Sequence, residues 1–388
     1  VADRSTEART SLWRLPAMRA LVGVTALGFG SYCLTLASLP TYAVAGGASE
    51  DTAGLVTAVF LAVTIAVQSI VPALTARFGT ARVLAVGLVA LGAPAPLYAV
   101  SDGPAWLLAI AVVRGAGFGV LTVLGSLLAA RVAPAGRKGE SIGLYGLAIA
   151  VPNLIAVPAG VALVLAGHAT WLAWLAASPV LGLLLLRGLG RAASDAPAGA
   201  PVPGAGRRGA RAALAPSVVL LAVTLAGGGL MTFLPIERPD GSLATVALIV
   251  LGLTGALSRW RAGLLADRFG SRLLLPVSLL GTAVGLAVLA AGLPWGAGWV
   301  LAGAAVFGAG YGAVQNLTLL LAFRRAGERG AAAASAMWNA SFDAGMALGA
   351  LALGLLAAGI GLSWSLVAVA GLLVGVLPLA TAATRRAG

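Results

Sequence analysis

The chain has 388 residues, of which 60% are hydrophobic and only 10% charged, with a mean hydropathy of +1.00. Charged residues make up about a quarter of an ordinary globular chain, so a soluble protein is excluded: too little charge exists to cover its surface. The net charge of +13 would suit a nucleic-acid binder, but the arginines stand in short gaps between apolar runs and form no continuous basic face. Cys33 is the single cysteine, which rules out an intramolecular disulfide and leaves it as a packing residue.

The first apolar run, at 17–41, is too long for a signal-peptide core and is read as a retained span. Further runs follow at 52–74, 82–100, 104–130, 139–166 and 169–187. The second set lies at 213–236, 243–262, 273–293, 297–323, 331–359 and 361–383. Most approach the ~20 apolar residues that cross a bilayer as a helix. Hydrocarbon permits only helices or closed barrels, and continuous rather than alternating apolarity excludes the barrel. Between the sets, residues 196–206 are rich in Ala, Pro and Gly and are followed by Arg207, Arg208 and Arg211. The stretch 188–212 therefore reads as a flexible cytoplasmic linker. It separates residues 1–187 from 213–388, each a six-helix bundle. The expected fold class is an all-α membrane protein with twelve transmembrane helices in two parallel-related bundles.

Basic residues fix the expected orientation. With the N-terminus inside, all but Arg114 and Arg238 of the 25 Lys and Arg fall in cytoplasmic segments, Arg259 and Arg261 among them. Both termini are then cytoplasmic. Trp106, Trp171, Trp174, Trp295, Trp299 and Trp364 lie near the outer ends, as an aromatic belt does. One lysine, Lys138, against so many arginines, with abundant Ala and Gly, points to a GC-rich bacterial gene and hence a bacterial inner membrane.

The halves repeat one another. Arg77-Phe78-Gly79 recurs as Arg268-Phe269-Gly270, a shift of 191 (268 − 77). Gly115-Ala-Gly-Phe-Gly119 recurs as Gly308-Ala-Gly-Tyr-Gly312, a shift of 193 (308 − 115), which Arg131 and Arg324 share. An even number of spans per half makes these parallel repeats, an arrangement that places a site between the halves near the midplane.

These features resemble the major facilitator superfamily. Gly263-Leu-Leu-Ala-Asp267-Arg268-Phe-Gly270-Ser-Arg272 is similar to its cytoplasmic-loop signature, in which the glycines allow a tight turn. Asp267 can cap a helix or pair with an arginine as a latch. The first-half copy, from Pro72 through Arg77 and Gly79 to Arg82, has Ala76 where the acid belongs. Arg114-Gly-Ala-Gly117-Phe-Gly119 is similar to an Arg-and-Gly motif of the family's proton-coupled exporters. Gly143 to Gly160, with Pro152 and Pro158, is similar to a Gly-Pro-rich motif of antiporter fifth spans. Residues around Gly310–Asn316 and Trp338–Gly345 resemble the actinobacterial drug:proton antiporter branch.

A charge in mid-bilayer costs roughly 2.5–3.5 kcal/mol, and two residues carry one. Asp343 is the sole carboxylate deep in a span. It either carries protons, alternating between charged and neutral forms, or serves structurally, bonded to Asn339 or a neighbouring helix. Arg114 either tunes a protonatable partner or an anionic substrate group, or braces helix carbonyls around the glycines. Phe307 stands at Arg114's repeat position. Asn316, Gln315, Asn339, Asn153, Gln68 and Tyr32 are candidate substrate contacts, with interhelical packing the alternative for each. Met231, Phe233 and Trp338 are candidate apolar walls, and Glu237 a candidate acid at the outer mouth.

No phosphate-binding motif is present: Gly115–Gly119 lies mid-span with no preceding strand. A single loop histidine, His168, and one buried acid cannot assemble a hydrolase, and no enzyme is expected. The resemblance implies a monomeric secondary transporter without cofactor, driven by a proton gradient, with lipid around it and a small organic molecule as substrate. Efflux of amphipathic or hydrophobic compounds, such as drugs or secondary metabolites, suits the charge-poor spans. Import or facilitated passage of a sugar or organic acid is the alternative.

Overall fold

The structure is a computed structural model that describes residues 11–36, 38–47, 50–193, 204–237 and 242–385. It is 92% helical, with no strand among the described residues. The chain divides into two compact units, Val1–Ala198 and Gly199–Gly388.

In the first unit α1 runs Pro16–Leu36 and continues as Ser38–Ala45. Then come α2 (Glu50–Phe78), α3 (Thr80–Gly92, with a 3-10 turn at Ala95–Ala99), α4 (Pro104–Val132) and α5 (Lys138–Leu165). The last, α6, is Ala169–Leu175 followed by 3-10 turns over Ser178–Ala192. In the second unit α7 is Ala205–Glu237, α8 Ser242–Phe269 and α9 Leu274–Trp295. A helical run over Ala297–Gly375 follows, interrupted by non-helical backbone at Gly327 (φ 64°) and Gly361 (φ 77°). Those breaks divide it into α10 (297–326), α11 (328–360) and α12 (362–375), which Leu377–Arg385 extends. Ten apolar helical runs are long enough to cross a bilayer. Splitting the last at its two glycines gives the twelve expected spans. Both breaks have the positive φ that only glycine adopts without strain.

Two expectations change. The stretch 188–212 is structured at both ends, by turns to Ala192 and by α7 from Ala205; residues 194–203 lie outside the described residues. Ala and Arg are strong helix formers. Arg325 also donates to the Ala212 carbonyl at 2.9 Å, and Gly209 packs on Gly330. Tertiary contacts thus fix α7 eight residues before its expected start (213 − 205). Second, Arg259 is not in a loop. It lies inside α8, ten residues before Phe269 (269 − 259), and is 6% exposed. Arg4, Arg9, Arg238 and Arg386 lie outside the described residues.

The repeat seen in sequence is a repeat of contacts. A Cβ added at Gly115 would strike the Phe60 carbonyl of α2, and one at Gly308 the Leu251 carbonyl of α8, 191 positions on (251 − 60). Gly119 meets the Thr64 carbonyl as Gly312 meets that of Gly255. Gly117 meets the Leu91 nitrogen of α3 as Gly310 meets the Thr282 nitrogen of α9. On the other side, Gly160 of α5 abuts the Leu34 carbonyl and Gly349 of α11 that of Leu225. Each added Cβ would come within 3.0 Å of backbone, where real Cβ atoms are not found. Without a hydrophobic drive between helices in lipid, such close backbone packing is what holds spans together.

Six of the tryptophans, Trp106, Trp171, Trp174, Trp295, Trp299 and Trp364, are exposed, between 38% and 75%, the exposure an interfacial belt requires. Cys33 is fully buried.

Gly312→Ala and Gly119→Ala are each expected to lower thermal stability in detergent by roughly 1–3 kcal/mol, the range for overpacking. Gly281→Ala in α9, with nothing within 4 Å of the added Cβ, should be neutral or stabilising. Equal melting temperatures for Gly312→Ala and Gly281→Ala would contradict this packing account.

Candidate functional site

The first unit is built around Arg114. It lies ten residues into α4 (114 − 104), about 15 Å along the helix at 1.5 Å per residue, and is fully buried. Its Nε donates to the Leu91 carbonyl (2.8 Å). One terminal nitrogen donates to Thr35 Oγ1 and the Tyr98 hydroxyl, both at 3.1 Å. The other donates to Ser31 Oγ (2.8 Å) and the Ser31 carbonyl (3.4 Å). All five N–H groups of the guanidinium are thereby used. No carboxylate pairs with it among the described residues. Leu91 ends α3's ladder, Ser31 and Thr35 belong to α1, and Ser31 Oγ itself donates to the Ala176 carbonyl, at the join between the two parts of α6 (2.5 Å). One cation thus ties α1, α3, α4 and, through Ser31, α6.

Tyr98 and Thr35 also line a narrow cleft with Tyr32, Thr57 and Phe60. Its floor is aromatic. Tyr32 stacks on Phe118 with ring centres 4.2 Å apart and on Phe60 at 5.5 Å, and Phe29 meets Phe118 edge-on at 5.1 Å. Tyr32 is half-buried, so one ring of this stack remains accessible. Of the other candidates in this unit, Gln68 is fully buried and donates to Thr122 Oγ1 (3.1 Å). Asn153 is exposed on α5.

The second unit carries a different polar set. Phe307, at Arg114's repeat position, is fully buried and stacks on Tyr311 at 5.5 Å. Arg259 donates to Gln315 Oε1 (2.9 Å), and Asn316 Nδ2 donates to the Arg259 carbonyl (2.9 Å). Gln315 and Asn316 therefore brace α10 against α8. Trp338 of α11 is buried, donates to Thr318 Oγ1 (3.1 Å) and stacks on Phe342 at 5.9 Å. Asn339 turns back to the Ser335 carbonyl (2.9 Å). Asp343 is half-buried near the middle of α11. Three residues on, Met346 accepts from the Tyr311 hydroxyl (3.4 Å). Gly345 and Gly349 press on α7. Met231 and Phe233 are half-buried on α7, where Phe233 fills the space beside Gly354. Glu237 ends α7; its side chain lies outside the described residues.

Arg259 is the functional candidate that sequence reading overlooked. Standing in Ser258-Arg259-Trp260-Arg261, it looked like half of a loop pair. The signal was register: it is 191 positions after Gln68 (259 − 68), and Gln315 is 193 after Thr122 (315 − 122). Arg261, by contrast, is exposed and lies over the Trp260 ring at 5.1 Å.

At the arginine-rich ends the loop signature takes its expected turn. Gly79 and Gly270 both have positive φ (87° and 79°). Arg77 lies over Phe78 at 5.1 Å and Arg268 over Phe269 at 5.0 Å. Gly263 is buried in α8, and Arg272 is exposed. Asp267 pairs with Arg324 of α10 at 3.7 Å, within one unit. At the repeat position Ala76 offers no acid, and Arg131 donates instead to Thr80 Oγ1 (3.3 Å).

Arg114→Lys is expected to fail as a conservative change. Three donors on a point charge cannot serve five acceptors held in a plane, and unfolding in detergent should come roughly 2–5 kcal/mol earlier from the acceptors left unmet. Ala76→Asp should create the missing pair with Arg131 and add no more than about 1 kcal/mol, the ceiling for a partly exposed ion pair. The double variant Ala76→Asp/Arg131→Gln should lose that gain, which a thermal-shift cycle measures.

The family model described as Major Facilitator Superfamily matches residues 20–350. No curated protein sequence matches the chain. Among solved structures, the human organic anion transporter MFSD10 (TETRAN) superposes with a TM-score of 0.76 at 15% identity, covering 94% of this chain and 99% of that one. The transporter FucP in its outward conformation gives 0.72 at 15% identity, covering 96% and 99%; a further structure names it the E. coli fucose:proton symporter. The proton:xylose symporter XylE gives 0.69 at 18% identity, covering 94% of each chain. At these identities the likeness is one of fold, and the family match extends it to lineage: this chain belongs to the Major Facilitator Superfamily, as a multi-pass membrane transporter of small molecules.

Proposed function

We propose that the chain is a proton-coupled exporter of small amphipathic or hydrophobic organic compounds, working by alternating access. The observation that carries this reading is the place of Asp343. It is the sole carboxylate within α7–α12 away from the helix ends. Only half-buried, on a helix otherwise locked to α7 by Gly345 and Gly349, it can exchange a proton while its helix stays packed. Membrane-embedded acids of this kind mark proton pathways.

The first unit supports the substrate class. Its cleft offers an accessible tyrosine ring, further aromatic and aliphatic walls, and hydroxyls for orientation. Flat apolar molecules with one or two polar groups suit such a surface. A sugar importer would want many convergent hydrogen-bonding groups. Here Gln68, Gln315, Asn316 and Asn339 are buried and engaged in interhelical or intrahelical bonds. The sugar symport and organic-anion transport named for the similar structures keep import of a sugar or organic acid as the second reading. The arginines around the Gly79 and Gly270 turns support a cytoplasmic location for those ends by the positive-inside bias, in a bacterial inner membrane.

In proteoliposomes with an imposed pH gradient, the wild-type chain is expected to drive transport of ethidium, a flat amphipathic cation. Asp343→Asn should abolish the pH-driven component while its thermal stability in detergent stays at the wild-type level. Undiminished pH-driven transport by Asp343→Asn would overturn the proton-carrier role, and counterflow of labelled sugar would favour the second reading.

A further inference from the structure

Arg114 uses only one half of the Tyr98 hydroxyl. Tyr98 stands in the 3-10 turn that follows α3, after Pro94 and Pro96. Trp106 pins that turn, its indole nitrogen donating to the Leu97 carbonyl at 2.8 Å. The Tyr98 ring lies against the Arg114 guanidinium at 5.2 Å, and its oxygen accepts an N–H from it at 3.1 Å. A phenol also has one proton to give. No acceptor meets that proton among the described residues, although the side chain is only 2% exposed. Accepting from a cation makes the O–H a stronger donor, because hydrogen bonds in sequence polarise one another. Leaving such a donor unmet away from water is costly. Packing does not ask for it. In the register that matches Leu91 of α3 to Thr282 of α9, Tyr98 matches Leu289, 191 positions on (289 − 98), which is fully buried without any polar group.

The neighbouring groups narrow where the proton goes. Thr35 Oγ1 accepts from the same guanidinium nitrogen, but turns its own proton back to the carbonyls of Ser31 and Tyr32, both at 3.1 Å. The Leu91 carbonyl is taken by Arg114 Nε. What remains is the cleft that Tyr98 lines with Thr57 and Tyr32. Thr57, half-buried on α2, likewise has no hydrogen-bond partner among the described residues. The cleft holds about 20 Å³, room for one small polar group and not for a ring. A ring has its place beside it. Phe60 and Phe118 are 5.6 Å apart, too close to lie on opposite faces of Tyr32. Tyr32 is half-buried, and no aromatic ring among the described residues stacks on its face opposite Phe118. Two hydroxyl donors match the two lone pairs of one carbonyl oxygen. They do not suffice for a carboxylate, which needs more donors to leave water, and Arg114 has none left to give it.

We propose that Tyr98 is the specificity-determining residue of this cleft. Its hydroxyl, polarised by Arg114, donates to the carbonyl oxygen of a flat, neutral aromatic carbonyl compound whose rings rest on Tyr32, with Thr57 as the second donor. Arg114 acts on that ligand through Tyr98 and is its positioning residue. The proposal rests on the exporter reading for its place in transport; the binding contact stands without it. Ethidium has no such oxygen and reports transport without using this contact.

The test is equilibrium binding to the full chain in lipid nanodiscs at one neutral pH, corrected for partition into empty nanodiscs. Three probes share a shape: 2-acetylnaphthalene, 2-ethylnaphthalene, which lacks the oxygen, and 2-naphthoate, which carries a charge. The ketone should bind about 3- to 10-fold more tightly than 2-ethylnaphthalene, the net return of one good hydrogen bond. Tyr98→Phe should bring that ratio close to one and leave the affinity for 2-ethylnaphthalene unchanged, and Thr57→Val should lower the ratio in part. In infrared difference spectra the carbonyl stretch of the bound ketone should lie below its frequency in lipid alone, and Tyr98→Phe should move it back up. A tyrosine that served only to pack against Arg114 would move neither the ratio nor the stretch. Equal affinities for ketone and hydrocarbon, an unshifted stretch, tighter binding of 2-naphthoate, or no saturable binding at all would overturn the proposal. If Tyr98→Phe does not fold, because Arg114 loses an acceptor, Thr57→Val carries the assignment, and an unchanged ratio in it overturns the cleft as the site. Ethidium transport without a ketone preference removes this proposal and leaves the exporter; a ketone preference in a chain that moves no ethidium does the reverse.

Discussion

Each unit depends on the approach of helix backbones to within glycine distance. In lipid, apolar side chains gain nothing by meeting one another rather than acyl chains, so spans associate through tight packing and interhelical hydrogen bonds. Here the fourth and tenth helices are the hubs. Gly115, Gly117 and Gly119 let α4 lie against α2 and α3, and Gly308, Gly310 and Gly312 do the same for α10 against α8 and α9. Gly160 and Gly349 close the opposite side against α1 and α7. Polar groups are then added at these crossings: Thr64 donates to the Gly115 carbonyl at 3.0 Å, just where the glycine has brought that carbonyl within reach.

On this shared frame the two units place buried cations differently. Arg114 is on the hub helix of the first unit and is satisfied by hydroxyls and carbonyls alone. Arg259 is on a neighbour of the hub in the second and takes a side-chain amide. The saturated arginine behaves as a rivet: five bonds from α4 to fixed groups on α1 and α3 leave no donor to spare. In α8 the Asn316 amide returns a bond to the Arg259 carbonyl, so that crossing is held by two polar contacts.

The arginine-rich ends show the same economy on a smaller scale. Gly79 and Gly270 make the same turn and their arginines lie over the same phenylalanines. Only Asp267 gives its turn an ion pair. Ala76 breaks the symmetry at the other turn, where Arg131 donates to the Thr80 hydroxyl.

Sequence by itself determined the class, the twelve spans and the repeat. Those follow from length, hydropathy and identity at fixed spacing, which are local or one-dimensional properties. It also identified Arg114 and Asp343, because a charge inside an apolar run is conspicuous, and Asp267, because the altered first copy shows its absence. Tertiary structure decided the rest. Arg259 was hidden by its neighbour Arg261: two arginines near a span's end look alike in sequence, and only packing against α10 separates the buried one from the exposed one. Gln68, Gln315 and Asn316 were legible as polar residues in spans, but whether such a residue meets a substrate or another helix depends on which way its helix is turned. The start of α7 at Ala205 likewise awaited the contacts of Gly330 and Arg325, since helix propensity outside the membrane is realised only where packing supports it.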